Sequence, residues 1–143
     1  MMHTLRKCAR SSVCVLLLLF SALPAVHAQR MLEPAEYLRD AKFKPLYVKA
    51  LGAKAKTPWL ATMDGPAPTT RKVQVAGTEY VLSAFCKNRD CGENNAVLLY
   101  SASQGILCGT IYENGKSTLI GNPPSTVAAE LPKLWKIEWR QQR

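Results

Sequence analysis

The chain has 143 residues, 48% of them hydrophobic, with 19 Lys and Arg against 10 Asp and Glu, a net charge of +9. That length suits one domain with a modest two- or three-layer core. No helix-turn-helix, zinc-finger or aromatic RNA-binding signature accompanies the positive charge, so no nucleic-acid partner is expected.

Residues 1–28 read as a signal peptide. Arg6, Lys7 and Arg10 form a basic n-region, residues 13–20 an apolar h-region, and Val26 and Ala28 stand at −3 and −1 of a cleavage site. The apolar run is too short for a permanent membrane anchor. Cys14 follows Ser11-Ser12-Val13, a poor lipobox, so lipidation is not expected. The sequence thus predicts an exported domain, periplasmic or secreted, over residues 29–143, in which 16 basic and 10 acidic residues leave a charge of +6. Both histidines, His3 and His27, fall in the excised part. The domain therefore lacks Ser-His-Asp and Cys-His catalysis, histidine metal ligands and a histidine pH switch.

Glu33-Pro34-Ala35-Glu36 resembles a helix entrance, with proline in the first turn and acids near the positive end of the dipole. Tyr37, Leu38 and Ala41 would share a helix face; Pro45 should break or restart the helix, and residues 46–51 should form a second short piece stopped by Gly52. Six basic residues (Arg39, Lys42, Lys44, Lys49, Lys54, Lys56) face only Asp40 here. They read either as a solvated face or as a surface for anionic polymer or phospholipid head groups. Residues 57–70 carry three prolines and Asp64-Gly65, which predicts loop, with Trp59-Leu60 anchored in the core.

A β-rich block follows. Residues 71–75 alternate, with Val73 and Val75 on one face; Ala76-Gly77 turns; residues 78–85 place Tyr80, Leu82 and Ala84 on one side. Residues 96–102 and 105–112 are two further strands, and Asn114-Gly115 is a hairpin signal leading into 117–120. Five strands with short turns predict an antiparallel meander flanked by helices, an α+β domain. Ser125 would cap a short helix through Val127 and Leu131, interrupted at Pro132. The tail holding Trp135 and Trp139 reads as either helix or strand, docked on the domain.

Three cysteines remain in the domain. Cys86 and Cys91 bracket Lys87-Asn88-Arg89-Asp90, and in an oxidising compartment they can close a small ring at a hairpin tip, with the lysine and arginine outward. Closure removes only about 2 kcal/mol of unfolded-chain entropy, so its larger consequence is a loop already ordered for a partner. The plain alternative is a staple fastening a hairpin end. Redox chemistry fits poorly, because the spacing is not Cys-x-x-Cys. Cys108 lies in an apolar strand and reads as a buried inert sulfur; an intermolecular bridge or pairing with a loop cysteine is the alternative. No metal site or cofactor is implied. Glu79, Glu93 and Glu113 are available carboxylates, but nothing pairs them at catalytic spacing, so no enzyme is expected.

The pattern Cys86-Lys87-x-x-Asp90-Cys91-Gly92 at a strand end resembles the signature loop of the Ivy family, inhibitors of vertebrate C-type lysozyme. Gly77-Thr78-Glu79-Tyr80 upstream, Val97-Leu98-Leu99-Tyr100-Ser101 downstream, Pro58-Trp59, Val73 and Val75 extend the likeness. It implies an exported α+β inhibitor, often homodimeric, that inserts the loop into a lysozyme cleft. Cys86, Lys87, Asp90, Cys91 and Gly92 match the family loop. Asn88 stands where the inhibitors usually have proline, and Arg89 where they have the histidine that reaches the catalytic carboxylates. The alternative is an envelope protein that binds peptidoglycan or controls lytic transglycosylases through its basic surface.

Overall fold

The computed structural model describes residues 31–68 and 70–140; the expected signal peptide lies outside the described residues. A 3-10 helix spans Pro34–Arg39, with a capping box between Glu33 and Glu36 at its start. The carboxylate of Asp40 then accepts hydrogen bonds from the backbone N–H groups of Lys42 and Phe43, at 2.7 and 2.8 Å. This launches α1, Phe43–Leu51, which ends where Gly52 takes a φ of +55°. Pro45, expected to break the helix, sits in its first turn, where a backbone N–H has no acceptor within the helix. A 3-10 stretch, Gly52–Lys56, leads into α2, Pro58–Thr62. The sequence predicted loop there, but Pro58 occupies a helix-opening position and Trp59 and Leu60 are buried as expected.

The five strands are β1 (Arg71–Val75), β2 (Thr78–Cys86), β3 (Asn94–Ser101), β4 (Ile106–Glu113) and β5 (Lys116–Ile120). They pair antiparallel in chain order, the meander that the turn spacing predicts. Two tight turns carry the expected positive φ pairs, Ala76-Gly77 and Asn114-Gly115.

Both sheet faces are covered. On one, Phe85, Leu98, Tyr100 and Ile111 pack against Phe43, Tyr47 and Leu60 from the N-terminal helices. On the other, Leu82, Leu99 and Cys108 pack against Val127, Leu131 and Trp135 of α3, Ser125–Arg140. Every residue of β3 is accordingly buried, as in a strand with helices over both its faces.

α3 is one continuous 16-residue helix. Pro132 lies within it without ending it, its ring exposed while Leu131 and Trp135 on either side are buried. Ser125 is the first helical residue instead of the cap, and the carbonyl of Pro124 accepts from Ala128 N–H at 2.8 Å. The tail is therefore helical. It docks through Trp135, through Arg71 paired with the buried Glu138, and through Arg140 stacked 5.1 Å above the Trp135 ring.

Candidate functional site

β2 ends at Cys86, and β3 begins at Asn94 after a connection that carries the disulfide Cys86–Cys91, with Cα atoms 4.9 Å apart. Among the described residues Cys108 is the free cysteine, fully buried beneath α3, and burial pushes its thiol up to about 11. The ring lies at the β2–β3 hairpin tip, as expected, but its two cysteines do not terminate neighbouring strands. Cys86 pairs in register with Asn95, and Cys91 lies in the turn preceding β3. The ring therefore closes within the loop and not across the ladder.

Inside the ring the backbone forms one defined turn. Asp90 N–H donates to the carbonyl of Lys87 at 3.0 Å. Asn88 keeps a negative φ, while Arg89 takes +63°. That is the pattern of a type II turn, with Asn88 first and Arg89 second of the central pair. The second position favours glycine or asparagine, so an arginine there is held in a sparsely populated conformation by its surroundings. The first position favours proline. Asn88→Pro is expected to stabilise the protein by about 0.5–1 kcal/mol by pre-setting φ in the unfolded chain, measured as a higher denaturation midpoint.

Asp90 locks the turn from outside. Its carboxylate accepts from Lys87 Nζ at 3.0 Å and Asn94 Nδ2 at 2.7 Å. The Lys87 and Asn94 hydrogen bonds hold its pKa below the ordinary aspartate value. Because the folded value is the lower one, this tie is fully present above the ordinary aspartate pKa and is lost only as pH falls through the folded value. Lys87 is thereby partly compensated. Arg89 is exposed and has no hydrogen bond or ion pair among the described residues. It is the loop's uncommitted cation.

Two supports beneath the loop are not evident from sequence. Asn95 is 1% exposed; its Nδ2 donates to the Cys91 carbonyl at 2.7 Å and its Oδ1 accepts from Trp135 Nε1 at 2.6 Å. One amide thus fastens the ring to α3. Asn95→Leu would leave the indole N–H and the Cys91 carbonyl without partners, so a loss of about 2–4 kcal/mol is expected by chemical denaturation. The sequence signal was only a polar residue entering an apolar strand. The second support is a strap, residues 64–68, that crosses the loop's root. Its Pro66 carbonyl accepts from Cys86 N–H at 3.2 Å. A Cβ on Gly65 would lie 1.7 Å from the Cys86 carbonyl oxygen.

The carboxylates are not assembled. Glu79 pairs with Lys72 at one end of β2, and Glu113 pairs with Lys54 near the other. In the basic stretch, Asp40 is spent on capping α1, and Arg39, Lys42, Lys44, Lys49 and Lys56 are exposed.

The sequence model of the family described as "Inhibitor of vertebrate lysozyme (Ivy)" matches residues 47–141. The chain belongs to the Ivy family. No individual curated protein matches it. The Ivy match takes in the sheet, the ring and α3, so it reaches past the residues on which the motif likeness stood. Trp135 and Trp139, whose place the sequence left open, fall within it.

Proposed function

We propose that this Ivy-family chain is an exported, periplasmic protein that inhibits a C-type lysozyme, or a related muramidase, by filling its substrate cleft with loop 86–91. The observation that carries the reading is a contrast within the loop. Lys87, Asn88 and Arg89 are exposed, while the backbone on either side is tied by the disulfide, the type II turn, Asn95 and the strap. An ordered projection loses little freedom on binding. Lysozyme-type clefts hold a proton-donating carboxyl and an ionised partner. A guanidinium offers such a pair a permanent charge and a fork of donors, so Arg89 is assigned the contact. Lys87 and Asp90 set its position, and Asn88 gives it its turn. Export rests on the basic and apolar N-terminal segment, and a homodimer, with one loop per copy, rests on the family likeness.

The test is a titration of a C-type lysozyme with the oxidised protein lacking residues 1–28. Near-stoichiometric loss of activity is expected. Full activity at saturating excess would overturn the reading and direct the same titration to lytic transglycosylases and isolated cell wall.

A further inference from the structure

A six-residue ring is too small to be the whole of a tight contact. Stable protein–protein interfaces bury about 800 Å² on each partner and involve roughly 20–30 residues a side. If the loop enters a cleft, the surface at its foot must meet the cleft's rim. That surface holds a groove of about 530 Å³ between Pro66 and Pro68 of the strap, the disulfide, Gly92 and Trp139. Its walls are mostly apolar. Trp139 Nε1 donates inward to the Ala96 carbonyl at 3.4 Å, which leaves the ring's carbon surface for the groove.

Gly92 supplies the second observation. Of the eight glycines, five have positive φ, and a Cβ on Gly65 or Gly109 would collide with backbone. Gly92 alone has neither reason: its φ is not positive, and a Cβ there would meet nothing within 4 Å. No contact among the described residues requires glycine at this place. Gly92 lines the groove without a side chain.

From this we infer that the groove receives an apolar side chain from the cleft rim of the same enzyme that takes the loop, making Gly92, Pro68 and Trp139 part of the inhibitory surface. The inference rests on the loop reading above. Apolar contact at the foot would slow dissociation, while the cation at the tip supplies the match to the carboxylates.

The test compares binding of a C-type lysozyme by the parent, Gly92→Trp, Pro68→Glu and Arg89→Ala, with thermal unfolding of each. Gly92→Trp fills the groove from open space, and Pro68→Glu puts a charge on the opposite wall. Each is expected to weaken binding about tenfold or more through faster dissociation at an unchanged unfolding midpoint. If Gly92→Trp and Pro68→Glu bind like the parent while Arg89→Ala does not, the groove is empty in the complex and this inference alone fails. If only Gly92→Trp weakens binding, the effect belongs to the loop and the groove is again excluded. If the parent does not bind, or Arg89→Ala binds like the parent, the loop reading falls and this inference with it.

Discussion

Arg89→Ala is expected to raise the inhibition constant by about a hundredfold or more, the scale of a central contact residue, without changing thermal stability. The separation of the two effects follows from where Arg89 sits. Its side chain is exposed and bonds to no described residue, so its removal takes nothing from the core. Alanine, like arginine, has no side chain that eases a φ of +63°, so the turn is no harder to hold. What is lost is a charge and a fork of donors aimed outward. Arg89→Lys, which keeps the charge as a single point, should fall between the two. Arg89→His should make inhibition weaken as pH rises through about 6.5, where an exposed imidazole loses its proton, whereas the guanidinium stays charged throughout. Since residues 29–143 hold no histidine, any such pH dependence of the difference between the two proteins comes from the introduced ring. Unchanged inhibition by Arg89→Ala would remove the tip of the loop from the mechanism.

How far the sequence discloses this site depends on the range of the interactions that build it. Ala76-Gly77 and Asn114-Gly115 are legible because a tight hairpin turn needs positive φ at consecutive positions, a requirement met locally. The strands between them follow, and with them the meander. The helices are less legible because proline has two meanings. Pro45 and Pro58 open helices, and Pro132 is carried on a solvent-facing side, yet all three read as breaks when only the chain is considered. The ring is legible through its cysteines, but its geometry is not. That Cys91 precedes β3, and that Arg89 takes the second place of a type II turn, depend on the register Cys86↔Asn95. Least legible are the supports. Asn95 meets Trp135 across 40 positions, and Pro66 meets Cys86 across 20. No local periodicity records either contact, because each is decided by which layer folds over which end of the sheet.

Gly65→Ala should destabilise the protein by about 1–3 kcal/mol, the range for forcing atoms into a filled site, and should do so by detaching the strap instead of moving the ring. The added methyl would stand 1.7 Å from the Cys86 carbonyl oxygen and 3.1 Å from Asn88 N. These are backbone atoms, so no side-chain rotation can relieve the clash. One of the two segments must withdraw by more than an ångström. The ring's root is held by the β2–β3 ladder, by Lys87 N–H donating to the Asn94 carbonyl at 2.9 Å, and by Asn95 on the Cys91 carbonyl. Against these, the strap is fastened to the root by one hydrogen bond, from Cys86 N–H to Pro66. The weaker attachment yields. Amide exchange at Cys86 should therefore accelerate in Gly65→Ala while the Lys87 amide stays protected. The arginine keeps its aim, but Pro66 and Pro68 leave the groove. Binding to lysozyme should then weaken like Pro68→Glu and not like Arg89→Ala, by about tenfold and through dissociation. Equal acceleration at Cys86 and Lys87 would mean that the ring gives way first, and would make the strap, through Gly65, the element that holds the loop in place.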